Sequence, residues 1–330
     1  MKRAATHRGE FGRIARYFAP LAQSHPGAFG LRDDAAVIAP QEGHEFVVTT
    51  DTIVAGVHFI GDETPALIAS KLLRVNLSDL AAMGATPRAY TLNIALPAET
   101  DDQWVEAFAS GLAEDQAQFG IVLIGGDSVG TPGPSVFTLT ALGEVPVAGA
   151  IRRGGARAGD KVFVSGTIGD GALGLRALRD QLAGVSTEER EWLAGRYRQP
   201  EPRLALGRRL FGVAHAAADI SDGLVADLAH IADASGVAAT LDASAVPLSP
   251  AACSAIGEDN MLVQTVLTGG DDYELVICAP PQNEAALQSL AEEIELPLTV
   301  VGSLYEGDGV RVVNADGAEI QLDRTGFSHG

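Results

Sequence analysis

The sequence predicts an α/β (α+β) protein of two domains, and three observations carry that expectation. The chain has 330 residues, 46% of them hydrophobic, which supports a substantial core and exceeds the roughly 100 to 200 residues of one ordinary domain. Segments with the period of a strand alternate along it with segments of helical period. From Ala148 to Asp160 the composition shifts to Gly, Ala and Arg without apolar period, as at a domain boundary. The expected domains are therefore 1–150 and 151–330.

In the first, Glu10 to Ala22 places Phe11, Ile14, Ala15 and Phe18 at helical spacing, and Pro26-Gly27 is a stop. Phe46 to Thr50 reads as a strand running into Asp51. A helix follows from Pro65, well placed at a first helical position, to Met83, ended by Gly84. Asp79 falls on its apolar stripe with Ile68, Leu72 and Val75, and a carboxylate there must be paired, protonated or bound to metal. Tyr90 to Leu96 reads as a strand and Asp101 to Phe119 as an amphipathic helix with acidic residues at its start. Val122 to Ile124 reads as a short buried strand and Ser135 to Val145 as another.

The second domain opens with a strand, Lys161 to Ser165, and a helix from Gly171 to about Leu182. A polar helical stretch comes next, then Pro202 to Phe211. Asp222-Gly223 opens a helix over Leu224 to Ala234, and Ala239 to Asp242, Leu275 to Cys278 and Leu298 to Val301 read as strands. No internal repeat or low-complexity segment interrupts the pattern.

Charge narrows the function. The 43 acidic residues against 23 basic ones leave a net charge of −20, a field that repels nucleic acid and anionic membranes. A phosphate substrate could approach such a surface only alongside bound metal ions. Neither His nor Cys occurs in pairs at zinc-ligand spacing, so zinc is not expected. Two isolated cysteines in so long a chain indicate a reducing compartment. No apolar stretch approaches the roughly 20 residues that span a bilayer, so a cytoplasmic protein without membrane contact is expected.

Five acidic clusters bracketed by Gly, Ser and Thr are the chemical signal: Arg32-Asp33-Asp34, Thr49-Thr50-Asp51, Ser78-Asp79, Gly125-Gly126-Asp127 and Asp219-Ile220-Ser221-Asp222. Such clusters collect Mg²⁺ and phosphate, and they point to phosphoryl transfer. Mg²⁺ takes only one or two carboxylates per ion, so a site of several ions needs about this many aspartates. Each also has an ordinary alternative: Asp34 and Asp51 in turns, Asp79 as an N-cap, Asp127 in a loop, Asp222 as a helix cap. His58 has the alternative of a hydrogen-bonded turn histidine, and Gly269 to Glu274 that of a plain turn. Gly169-Asp170-Gly171-Ala172-Leu173-Gly174 matches GxGxxG, but its first glycine comes late after the strand and no second strand ending in an acid follows, which argues against a dinucleotide site. None of Lys2, Lys71 and Lys161 follows a glycine, which excludes a Walker A loop, and there is no HRD or DFG triplet.

Five stretches in one order, Asp51 to Phe59, Asn76 to Ala85, Ile124 to Asp127, Asp219 to Leu224 and Gly269 to Leu275, closely resemble the thiamine-monophosphate kinase family across nearly the whole chain. That family shares a superfamily with aminoimidazole ribonucleotide synthetase, selenophosphate synthetase and a hydrogenase maturation factor. The resemblance implies ATP-dependent phosphorylation of thiamine monophosphate to thiamine diphosphate. It also implies an N-terminal ATP- and Mg²⁺-binding domain whose mixed sheet pairs in a homodimer, and a C-terminal α/β domain. By position it implies a shell for several Mg²⁺ ions at Asp34, Thr49, Thr50, Asp51, Asp79, Asp127, Asp219 and Asp222. ATP contacts fall on Gly126, Asp127, Arg153 and Ser221, and the acceptor site on His58, Asp271 and Phe327. No general base is expected, because a phosphate acceptor is already anionic. Arg32 stands where the family usually has glycine, and Asp271 where some relatives carry glutamate. The alternatives are another ATP-using enzyme of the superfamily, similar to aminoimidazole ribonucleotide synthetase, or a non-catalytic nucleotide-binding homodimer.

Overall fold

Four extended segments pair into one sheet in the computed structural model, which describes residues 10–327. They are β1 (His44–Val54), β2 (Thr86–Pro97), β3 (Val122–Thr131) and β4 (Val136–Pro146), in the order β1-β4-β2-β3. β4 runs antiparallel to both β1 and β2, while β2 and β3 are parallel. A parallel pair needs a crossover, and the helix Asp102–Phe119 provides it. The chain divides into one unit through Leu80 with Thr86–Ala148 and a second comprising Ala81–Ala85 with Gly149 onward.

The opening segment is not one regular helix. It starts as α1 (Glu10–Arg13), widens to a π turn over Ile14–Phe18, where the Ala19 N–H reaches the Ile14 carbonyl, and tightens to a 3₁₀ turn over Ala19–Ala22. Pro20 explains the break, since its ring clashes with the preceding turn and it has no N–H to donate. The helix α2 (Pro65–Ala82) begins and ends within a residue of its expected bounds. In α3 (Asp102–Phe119) the Asp101 side chain caps the Trp104 N–H at 2.8 Å, and Gly120 closes the helix at φ 69°. Trp104 stacks on Phe108 and on Phe137 of β4, with ring centroids 5.3 and 5.9 Å apart. That contact lays α3 on the sheet face carrying Phe137, Leu139 and Ala141, all fully buried.

In the second unit a six-stranded sheet has the order β10-β7-β9-β5-β8-β6. Its strands are β5 (Lys161–Ser165), β6 (Ala216–Asp219), β7 (Ala238–Asp242), β8 (Leu275–Ala279), β9 (Leu298–Tyr305) and β10 (Val310–Val313). Only β10 and β7 pair parallel; the other four pairings are antiparallel. The helices are α4 (Asp170–Leu178), α5 (Thr187–Arg198), α6 (Leu204–Gly207), α7 (Leu224–Ser235), α8 (Pro250–Glu258), α9 (Leu262–Thr268) and α10 (Glu284–Glu293). A Ser186–Glu189 capping box starts α5 in the polar stretch. The expected element from Pro202 to Phe211 shrinks to the single turn α6. Strands β6 and β10 and helices α8, α9 and α10 were not expected. Three alanines in a row are poor strand formers, and β6 exists because every one of its side chains is buried.

Candidate active site

Strand period decides which acidic side chains meet in the first unit. Along β1, Val47 and Ile53 are buried, so Thr49 and Asp51 share their face. The helix α2 presents Asp79 to the same face, where Thr49 Oγ1 donates to Asp79 Oδ2 at 2.5 Å. Asp51 is not in a turn, and Asp79 is no N-cap: it lies in the last turns of α2. Burial, then the negative charge of Asp79 and a hydrogen bond to it, push the Asp51 carboxyl up to about 7. Two carboxylates this close cannot both ionise freely without a cation. An oxygen-only donor set of two carboxylates and a hydroxyl fits a hard divalent ion such as Mg²⁺. Thr50 points the other way. Its hydroxyl bonds Thr140 Oγ1 at 3.0 Å and the Leu139 carbonyl at 3.1 Å on the opposite face, so its side chain is not part of the Asp51–Asp79 group.

The Gly-Gly-Asp cluster proves to be strand, not loop: β3 runs on to Thr131. Gly126 has φ 150°, and a Cβ there would lie 1.8 Å from the Leu92 carbonyl oxygen, so only glycine lets β3 lie this close to β2. Asp127 is exposed, with Oδ1 accepting the Ser128 N–H. Beside it opens a cavity of about 250 Å³ whose apolar wall includes Phe11, Phe18, Leu92 and Ile124. Asp33, Asp34, Gly126 and Asp127 also line it, which brings three of the expected site residues to one apolar slot. Arg32 is exposed and does not line it. His58 Nδ1 accepts the Val54 N–H at 3.2 Å and its carbonyl accepts from Lys71 Nζ at 3.0 Å, the bonds of a turn histidine.

In the second unit the segment after β6 is bonded through its backbone to two other parts of the chain. Asp219 is buried at the strand end. The Ile220 carbonyl accepts the Tyr273 N–H, the Ser221 carbonyl the Asp271 N–H, and the Asp222 carbonyl the Phe327 N–H, at 2.8, 3.0 and 2.9 Å. Ser221, Asp222, Asp271 and Phe327 thereby stand together along the backbone, with Phe327 48% exposed. Asp271 and Tyr273 adopt φ of 71° and 53°, strained values for non-glycine residues. Asp227, on α7, accepts the N–H groups of Ser221, Asp222 and Gly223 through Oδ2 at 3.0, 3.1 and 3.2 Å. Burial, opposed by those amides, pushes its carboxyl up to about 6. Arg153 is exposed, and its carbonyl accepts from Ser235 Oγ.

The GxGxxG match has a packing explanation. A Cβ on Gly171 would lie 2.2 Å from the Asp271 carbonyl oxygen, and one on Gly174 would lie 2.1 Å from that of Leu193. The N-terminus of α4, where a pyrophosphate would sit in a dinucleotide fold, is taken by Asp272, which accepts the Gly169 and Gly171 N–H groups at 2.7 and 2.9 Å. Glu274 is fully buried between Arg196, Arg203 and Ser165. Within the Asp271-Asp272-Tyr273-Glu274 turn, Asp272 and Glu274 therefore hold the framework, and Asp271 is the half-buried acid beside the Ser221 segment. Sequence reasoning passed over Asp227 because its partners are backbone amides, which leave no pattern beyond an acid just inside a helix.

Known proteins agree along the chain. Residues 32–145 match the family model for AIR synthase related protein, N-terminal domain, and residues 157–314 match that for the C-terminal domain. The thiamine-monophosphate kinase of Caulobacter vibrioides is 44% identical over 330 residues, covering 99% of this chain and 92% of the relative. A thiamine-monophosphate kinase crystal structure from Stenotrophomonas maltophilia superposes with TM-score 0.80 at 44% identity, covering 88% of this chain and 91% of that one. The structure of AaThiL complexed with AMPPCP and TMP superposes with TM-score 0.78 at 29% identity, covering 98% and 97%. With that identity carried over 99% of its length and the family models matched in both units, the chain belongs to the thiamine-monophosphate kinase family.

Proposed function

We propose that this chain transfers the γ-phosphoryl group of ATP to thiamine monophosphate, releasing ADP and forming thiamine diphosphate. The observation that carries the reading is the family relation over 99% of the chain; the facing Asp51 and Asp79 carboxylates fit the chemistry it requires. When bound, Mg²⁺ ions neutralise the mutual repulsion of two polyanionic ligands. Asp51, Asp79 and Thr49 hold one part of that shell, Asp34 and Asp127 a second, and Asp219 and Asp222 a third. Thr50 contributes, on this reading, only through its main chain. Gly126, without a side chain, lets a phosphate approach the backbone, and Arg153 and Ser221 are the further ATP contacts. His58, Asp271 and Phe327 receive thiamine monophosphate, with the ring of Phe327 stacked on its heterocycle. The ATP and Mg²⁺ work of the first domain is assigned to residues 1–150, with 151–330 as the C-terminal domain.

A phosphate acceptor needs no deprotonation at neutral pH, so these residues orient the acceptor oxygen in line with the γ-phosphorus and no general base takes part. Transfer is direct, and no phosphorylated side chain forms during turnover. The protein works as a homodimer through the sheet face turned away from α2 and α3. Both cysteines are free thiols, as suits the cytoplasm, and no helix among the described residues is long and apolar enough to cross a membrane.

Steady-state ADP release with thiamine monophosphate, and none above background with thiamine, is the expected result. Release with aminoimidazole substrates instead, or with no acceptor at all, would overturn the reading. Asp51→Asn and Asp127→Asn each lower turnover at least about tenfold, the equivalent of about 1.4 kcal/mol. Full activity in both variants would remove the metal assignment.

A further inference from the structure

We infer that Asp222, Asp227 and His230 form a cation site within the second unit that takes a first-row transition ion through the His230 imidazole. The inference rests on the reading of Asp222 as a metal ligand and adds two ligands that the family resemblance does not supply. One ligand atom from each of the three lies within 4.8 Å of the others. Bonds of about 2.1 Å to one ion set donor atoms roughly 3 Å apart, so a bound ion would draw the Asp222 and His230 side chains in towards the amide-held Asp227.

An independent observation singles out the same place. Asp227 is 0% exposed, and its Oδ2 is occupied by the three amides of Ser221, Asp222 and Gly223. Its other oxygen, Oδ1, is buried with no hydrogen-bond partner. A buried carboxylate oxygen without a partner is costly, and a cation held between Asp222 and His230 is the partner that removes the cost. The local sequence builds the site: Asp227 and His230 are three apart on α7, hence on one face, and Asp222 precedes the helix by two residues. The three amides fix the Asp227 carboxylate as an outer shell would fix a ligand. His230 is exposed, so an ion has access from solvent. Two carboxylates with one imidazole favour Mn²⁺, Co²⁺ or Zn²⁺ over Mg²⁺, which prefers oxygen alone.

The test uses Mn²⁺ with the full-length, chelator-treated chain in the absence of nucleotide, read by continuous and pulsed electron paramagnetic resonance. One bound Mn²⁺ should carry nitrogen modulation from an imidazole. His230→Ala should abolish that modulation and weaken this ion's binding by roughly tenfold or more, while Asp51→Asn leaves the modulation in place. Unaltered binding in His230→Ala, or no nitrogen-coupled Mn²⁺ in the parent, overturns the site. ADP release with Mg²⁺, ATP and thiamine monophosphate is measured on the same preparation. A chain that turns over without nitrogen-coupled Mn²⁺ overturns the site alone. One with that signal but no turnover overturns the proposed function and leaves the site.

Discussion

Asp51 illustrates how one side chain reports on its surroundings. Its carboxyl is displaced from 3.8 to about 7 by burial and by Asp79. The folded, metal-free chain therefore keeps a proton that the unfolded chain has lost above about pH 4. The site's contribution to stability is full below that value, falls as pH rises towards about 7, and stays low above it. Asp51→Asn should thus raise the thermal midpoint of the metal-free protein relative to the parent at about pH 8 and much less at about pH 5, with Mg²⁺ narrowing the gap. Parallel midpoints across that range would contradict the pairing. Thr49 and Thr50 separate in the same way. Thr49 donates to Asp79, whereas Thr50 bonds Thr140 on the other face. Thr49→Val should therefore raise the Mg²⁺ concentration for half-maximal turnover by more than Thr50→Val does, and the reverse order would place the ion elsewhere. The sequence named both threonines as one pair; the pleat divides them, because successive strand side chains point to opposite faces.

At the scale of elements, the legible parts were those whose ends carry their own signal. Pro65 and Gly84 bracket α2, and Asp101 and Gly120 bracket α3, each through a local backbone requirement. The opening segment had the right apolar spacing, yet Pro20 turned its second half into π and 3₁₀ turns. The Gly169 to Gly174 run shows how a motif takes a different meaning from its packing. Gly171 and Gly174 make room for the carbonyls of Asp271 and Leu193. Gly171→Ala places a methyl group 2.2 Å from backbone oxygen, and overpacking of this kind costs about 1 to 3 kcal/mol. Chemical denaturation should read that loss as a lower midpoint with an unchanged slope. A variant as stable as the parent would mean that the turn before β8 can move aside.

For the whole molecule, the uncovered part of the first sheet is the face through which the proposed homodimer would pair. The face away from α2 and α3 is packed at one end by Ala22, Ala28, Leu31 and Ile38. Elsewhere it carries Thr50, Thr52, Thr138 and Thr140 joined in cross-strand pairs, with Val48 60% exposed. If the proposed dimer pairs here, Thr138→Lys combined with Thr140→Lys should leave only monomer in light scattering, since like charges brought face to face repel; a dimer that persists would rule out this face. The sequence by itself determined the α/β class, the acidic clusters and the family, because period, turn residues and motif order are local properties written in consecutive residues. Only the tertiary structure decided that Asp79 faces Asp51, that Asp272 fills the helix end where a dinucleotide fold would hold a pyrophosphate, and that Asp227 Oδ1 lies buried without a hydrogen-bond partner. Those facts depend on strand pleat and burial between segments far apart in the chain, and the spacing of residues along one chain contains neither.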